Sequence, residues 1–263
     1  MNLEVISRNP QGPAKNTPLL FVHGAWHGAW CWQEYFLDWF AAQGFASYAL
    51  SLRGHGNSGG APQLRWASLN DYVADVASVA AGLEAQPVVI GHSMGGMVVQ
   101  KYLARHKAPA GVLLASAPPG GVLATTLRIA RSQPWSFLKA NLTLSLYPLM
   151  STPEKVAEAL YSQRLTKADI ERYAAQVGDE SYRAFLDMLG LGLPRPAEVT
   201  APMLVLAAEK DAIFTVEQEM ATARAYGTTA EVFPDMGHNM MLEPDWEKPA
   251  QRITQFLDEQ GIG

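Results

Sequence analysis

Cysteine is almost missing from this chain. Cys31 is the only one in 263 residues, so no disulfide can close within it, and a reducing compartment is the expected setting. No run of Lys and Arg appears and the net charge is −5, which leaves nothing to draw the chain to nucleic acid. No apolar run approaches the roughly 18 residues of a membrane span. The N-terminal stretch MNLEVISRNPQGPAKNTP lacks the long apolar segment of a secretory signal. A cytoplasmic protein without a membrane span is therefore expected. Internal repeats and low-complexity tracts are also lacking. No histidine–carboxylate cluster has metal-ligand spacing and no glycine-rich loop matches a phosphate cradle, so neither metal nor organic cofactor is expected. What is plentiful is apolar material: 48% of residues are hydrophobic and only 17% charged, the balance of a globular protein with a sizeable core.

Short apolar runs alternate with longer helical patterns, which predicts an α/β fold with a mostly parallel sheet covered by helices. Leu19 to Val22 reads as a strand ending at His23-Gly24, and Phe45 to Leu50 as one ending in the glycine-rich stretch Arg53 to Gly60. Leu69, Tyr72, Val73, Val76, Ala80 and Leu83 mark one face of a helix, with Ser68 as N-cap and Asp71 at its N3 position. Pro87 to Ile90 reads as a doubly buried strand, followed by a turn, a helix from Met94 to Arg105 and a strand from Gly111 to Ala115. From about residue 121 to 196 there are helical patterns but no convincing strand. The sheet pattern resumes with Met203 to Ala207, a helix from Val216 to Tyr226, the strand Ala230 to Phe233 and a last helix from Asp245 to Asp258. The expected organisation is a core of residues 1–120 and 197–263 with a helical cap, 121–196, over the strand ends, where open α/β sheets bind ligands. The plainer alternative is that the middle segment only adds packing helices.

The turn after Pro87–Ile90 carries Gly91-His92-Ser93-Met94-Gly95, a G-x-S-x-G pattern common by chance in isolation. Its context gives it weight, because it follows an apolar strand at once and opens a helix at once. Such a turn lifts the Ser93 hydroxyl above the sheet and crowds its neighbours, which glycine at 91 and 95 relieves. It also frees the Met94 N–H at a helix N-terminus. A serine nucleophile needs a histidine base oriented by a carboxylate. Of six histidines, His238 lies directly after the last strand and before the last helix, where a loop can carry it over Ser93. Asp211, just past the strand 203–207, is the favoured carboxylate; Glu209, Asp235 and Asp187 are its rivals.

Together these residues resemble the α/β-hydrolase superfamily, whose chain order Ser, Asp, His is met by Ser93, Asp211 and His238. The stretch Phe21 to Trp32 looks especially like the branch of plant methyl esterases and hydroxynitrile lyases, and more loosely like bacterial carboxylesterases. The resemblance implies an α/β-hydrolase fold, and oxyanion donors at the backbone N–H groups of Ala25 and Met94. Trp26, Trp30 and Trp32 fit either a pocket wall or the core. Trp26 and, from the apolar segment, Trp135, Leu138 and Tyr147 are the candidates for substrate contact. A nucleophilic serine argues against dehalogenase and epoxide hydrolase chemistry, which uses aspartate there. Related lyases place a lysine after the catalytic histidine, and here that position is Asn239. His23 is expected to be a packed histidine with no catalytic part.

The expected activity is hydrolysis of a small or medium apolar carboxylic ester through an acyl-enzyme. Carbon–carbon bond hydrolysis, lactone opening and perhydrolysis use the same triad and remain alternatives. Carbon–carbon hydrolases grip acidic substrates with arginine, a part that Arg128 or Arg131 could take. A ligand receptor on the same fold is the alternative of a different class. Monomer and homodimer both stay open.

Overall fold

The computed structural model describes all 263 residues, Met1–Gly263. The wholly apolar runs become inner strands because each is covered on both faces. β2 (Leu19–Val22), β4 (Val88–His92), β5 (Gly111–Leu114) and β6 (Met203–Ala208) are buried at every position. β3 (Ser47–Leu50) and β7 (Ala230–Phe233) pair parallel to β2 and β6. β1 (Val5–Arg8) runs antiparallel along the outer side of β3, giving the order β1-β3-β2-β4-β5-β6-β7. No strand is expected at β1 from the sequence. Its Val5 and Ser7 are exposed and Ile6 is only half-buried, so a four-residue edge strand leaves little apolar signature.

β2 has β3 on one side and β4 on the other, so the order of the chain reverses between β2 and β4. This switch opens a crevice at the carboxyl ends of the two strands. The register keeps their ends level: Val22 lies opposite Gly91, His92 opposite Leu114, and Leu114 opposite Leu206. The loops after β2, β4 and β6 therefore leave the same edge of the sheet.

Helices α1 (Trp30–Gln33), α2 (Phe36–Ala42), α3 (Leu69–Ala81) and α4 (Met94–Leu103) belong to the first half of the chain. α3 starts on the expected capping box: Asp71 N–H donates to Ser68 Oγ at 3.1 Å and Ser68 N–H to Asp71 Oδ2 at 2.9 Å. α4 is buried at every one of its positions, which its small and apolar sequence allows. Between β5 and β6 come α5 (Leu123–Ser132), α6 (Pro134–Thr143), α7 (Pro153–Leu160), α8 (Lys167–Ala174) and α9 (Tyr182–Leu186), with no strand among them. α10 (Val216–Ala225) and α11 (Glu247–Glu259) complete the second half. No helix is long and apolar enough to cross a membrane.

The segment between β5 and β6 is fastened to the core by a buried polar knot. Glu180, just before α9, accepts from Tyr72 Oη at 2.7 Å, from Ser181 N–H at 2.6 Å and from His55 Nε2 at 3.1 Å. A second fastening lies near the middle of the segment, between α7 and α8. Glu243 accepts from the Ser162 N–H at 2.6 Å and from its hydroxyl at 2.5 Å.

Candidate active site

Ser93 follows β4 and holds φ +53°, ψ −123°, a conformation that L side chains rarely adopt. The turn is possible because its flanks are bare. A Cβ on Gly95 would collide with the carbonyl oxygens of Val22 and His23, and one on Gly24 would meet Ser93 Cβ at 2.9 Å. The glycines thus let the β2 and β4 loops close on each other across the crevice. The Ser93 side chain does not cap α4. Met94, the first residue of that helix, carries an N–H with no intrahelical acceptor. In the loop after β2, Ala25 N–H donates to no backbone carbonyl. The next residue, Trp26, holds φ +65°, and its carbonyl accepts from Gly178 N–H at 2.9 Å, which ties this loop to the helical segment.

His238 comes from the loop after β7 and Asp211 from the loop after β6. His238 Nδ1–H donates to Asp211 Oδ2 at 2.8 Å, and the side chains are 2% and 1% exposed. Asp211 Oδ1 accepts from the N–H groups of Ile213 at 2.6 Å and Phe214 at 2.9 Å, so the carboxylate is fixed from both sides. The Nε2 of His238 has no protein partner, and no hydrogen bond joins it to Ser93 Oγ. Catalytic contacts are commonly loose until substrate arrives. Of the rival acids, Glu209 is exposed, accepting from Asp235 N–H and pairing with Lys210. Asp187 accepts from Leu69 N–H and pairs with Arg183.

The remaining histidines around the site are held neutral chiefly by burial. His23 Nδ1–H donates to Gly24 O at 2.8 Å while Nε2 accepts from Leu52 N–H at 3.0 Å. Burial and the neighbouring His55 push its pKa well below the usual range. This is the packed histidine expected from the sequence. His27 donates to Ala25 O at 2.7 Å and accepts from Asn239 Nδ2 at 3.0 Å, and burial lowers it to about 4. His92 Nε2–H donates to the His238 carbonyl at 3.0 Å, with ring centroids 4.7 Å apart. Burial, with the neighbouring His238 ring adding to it, pushes its pKa far down. The sequence places His92 in the turn but gives it no role. The structure makes it a strut between the residue before Ser93 and the backbone of His238.

Ser93 and Met94 open on a pocket lined by 17 residues, 13 of them hydrophobic, and none a Lys or Arg. Ala25 and Trp26 contribute from the β2 loop, Ile213 and Phe214 from the β6 loop, and the rest largely from the helices between β5 and β6. The expected contacts need correction here. Trp26 does line the pocket, but Trp135, Leu138 and Tyr147 do not; they are exposed on the outside. On α6 the pocket face is Phe137, Ala140 and Asn141, at i, i+3 and i+4, while Trp135, Leu138 and Leu142 lie on the opposite face. An apolar helix offers two such stripes, and the sequence cannot say which one faces inward. Of the other tryptophans, Trp32 is core and Trp30 is half-buried, stacked on His27 and Tyr173. Arg128 does not reach the pocket, because its guanidinium donates to the carbonyls of Ala212 and Ile213.

Comparison with known proteins adds a lineage to this geometry. A monoacylglycerol lipase of Mycolicibacterium smegmatis is 27% identical over 83% of this chain and 80% of its own length. A pFDCC methylesterase of Arabidopsis thaliana is 26% identical over 84% of this chain and 87% of its own. Among solved structures, a Mycobacterium tuberculosis protein provisionally described as a non-heme bromoperoxidase superposes with a TM-score of 0.78 at 18% identity, covering 99% of this chain and 97% of that one. The family model described as the alpha/beta hydrolase family matches residues 19–250, nearly the whole sheet and the site with it, and the chain belongs to that family.

Proposed function

We propose that this protein hydrolyses carboxylic esters with an apolar acyl or alcohol part, through an acyl intermediate on Ser93. The observation that carries the reading is a serine held at φ +53° at the mouth of an apolar pocket, on the same sheet edge as a buried His238–Asp211 pair. In this mechanism His238 Nε2 takes the proton as Ser93 Oγ bonds to the ester carbonyl carbon. The Ala25 and Met94 amides receive the oxyanion, a contribution of about 3–4 kcal/mol per donor in comparable sites. Asp211 keeps Nδ1 protonated and stabilises the imidazolium. His238 then hands its proton to the departing alcohol, and water repeats the sequence to release the acid.

The lipase and methylesterase relatives support ester chemistry. The lack of any Lys or Arg in the pocket lining favours an uncharged substrate portion, since a buried charge there would go unpaired. Arg128, engaged with backbone carbonyls, leaves an acidic carbon–carbon hydrolase substrate without a grip. Asn239 turns to His27 and offers no cation for lyase chemistry. Residues 121–196 act in this reading as a cap that shapes the pocket over Ser93. Perhydrolysis differs only in that hydrogen peroxide, not water, takes the acyl group from the serine.

Hydrolysis of p-nitrophenyl esters from acetate to decanoate, with Ser93→Ala as control, tests the reading. Activity abolished in the variant supports it, and the chain-length profile sizes the pocket. Equal rates in both proteins sink it. Oxidation of bromide by the wild type in acetate and hydrogen peroxide, without ester cleavage, would transfer the site to perhydrolysis.

A further inference from the structure

α5 and α6 each divide their residues between two faces. Thr125, Thr126 and Ile129 of α5 and Phe137, Ala140 and Asn141 of α6 line the pocket. The opposite faces leave five large apolar side chains in water: Leu123, Leu127, Trp135, Leu138 and Leu142, with Trp135 81% and Leu142 76% exposed. Isolated exposed apolar residues are ordinary, but five on two adjoining helices form a patch that calls for a partner.

Within the stretch of chain that carries it the charges are one-sided, although Glu158 of α7 lies near the end of α5. No Asp or Glu occurs between Glu84 and Glu154, although the chain as a whole carries −5. Arg131 and Lys139 lie on these helices, both exposed, and neither forms an ion pair with a carboxylate of the protein. A tryptophan and leucines flanked by unpaired cations are the composition of a helix face that lies in the boundary between lipid headgroups and acyl chains. A second copy of this chain fits less well. A two-fold contact through the patch would set the cations of one copy against those of the other.

We infer that the outer face of the α5–α6 hairpin docks the protein on an anionic lipid bilayer, with Trp135 and the leucines in the headgroup boundary and Arg131 and Lys139 against lipid phosphates. The pocket's own roof then rests on the membrane, and an apolar ligand passes between lipid and pocket past two helices rather than through water. The docking is independent of the ester hydrolysis proposed above, since it is read as binding and needs no turnover.

The test is co-sedimentation of the full chain with vesicles of phosphatidylcholine alone and of phosphatidylcholine mixed with phosphatidylglycerol. Two double variants accompany it, L127S/L142S and R131E/K139E, with melting temperature as the control for folding. Binding to the mixed vesicles is expected to exceed that to neutral ones, to weaken with added salt, and to fall by about tenfold or more in each variant. No binding to either vesicle, or binding unchanged in both variants, overturns the inference. So does a concentration-dependent dimer in sedimentation velocity that L127S/L142S dissociates while vesicles bind nothing, which would assign the patch to a second copy.

Discussion

Two histidine–carboxylate pairs are buried in this molecule, and they differ in what the second ring nitrogen meets. In His238–Asp211 the imidazole and carboxylate side chains are 2% and 1% exposed; in His55–Glu180 they are 2% and 0% exposed. Burial is thus equal, and the second ring nitrogen makes the difference. His55 Nδ1–H donates to Arg53 O at 3.1 Å while Nε2–H donates to Glu180, so both nitrogens carry protons and the ring is held as a cation. Burial alone would lower its pKa, but the charge and hydrogen bond of Glu180 outweigh it and raise the value above 6.5. His238 is tied at one nitrogen only, and its Nε2 has no protein partner. A pair closed at both ends is a fastening, whereas one left open at an end can take a proton and return it.

The comparison breaks first at Asp211. Asp211→Asn is expected to lower kcat for ester hydrolysis by about four orders of magnitude, because the amide sets the wrong imidazole tautomer while leaving the fold intact. A loss of less than tenfold, measured with pre-folded variant of unchanged melting temperature, would remove His238–Asp211 from the chemistry.

Glu180→Gln is expected to do the reverse. It leaves a buried imidazole without its counter-ion and should cost roughly 3–5 kcal/mol of stability. Since folding raises the His55 pKa, the pair's contribution is complete below pH 6.5 and fades as pH climbs through the raised value. Denaturant unfolding of wild type and variant should therefore differ most near pH 6 and converge under alkaline conditions. A gap that widens with pH would contradict the assignment of a charged His55.

Glu219 is another buried carboxylate, and it has no histidine partner. It is 1% exposed and neither oxygen has a hydrogen-bond partner. Burial and the nearby charge of Asp211 push its pKa far up, so the folded protein keeps its proton. The unfolded chain releases that proton above pH 4.5, and stability falls as pH rises toward the raised folded value. Glu219→Gln removes that dependence and is expected to stabilise the protein at pH 8 by about 1–3 kcal/mol. At pH 4 the two should unfold alike. A variant less stable at pH 8 would show that the carboxylate is ionised and supported.

The candidates for this site are legible in the sequence, and its fastenings are not. A strand–Ser–helix turn, an acid past the next strand but one and a histidine before the last helix are local features in fixed order, so Ser93, Asp211 and His238 can be named from the sequence. That His23 packs rather than reacts follows from its having no place in that order. By contrast Glu180 is 125 positions from His55 and 108 from Tyr72, and no periodicity links residues so far apart. The inward face of α6 failed for another reason. Phe137 and Leu138 are equally apolar, and only the packing of the whole segment turns the first toward the pocket and the second toward water. β1 was silent because one half-buried isoleucine is all it offers to the core.

Tyr72 provides the finest cut through the comparison. Its hydroxyl donates to Glu180 Oε1 at 2.7 Å, beside the Ser181 N–H that serves the same oxygen. Burial and the adjacent carboxylate raise its own pKa well above 10, so the phenol stays a neutral donor across the working range. Tyr72→Phe deletes one hydrogen bond to a charged acceptor without unpairing His55, and about 1.5 kcal/mol of stability should go with it. Because neither the phenol nor its replacement titrates in that range, the loss should be much the same at pH 6 and pH 8, unlike the converging curves of Glu180→Gln. kcat should stay within a factor of two or so, for Asp211 and not Glu180 orients the proposed base. Should Tyr72→Phe cost several kcal/mol only at low pH, the phenol would be acting through the charge of His55. The buried knot would then be a coupled triad rather than an ion pair with a supporting donor.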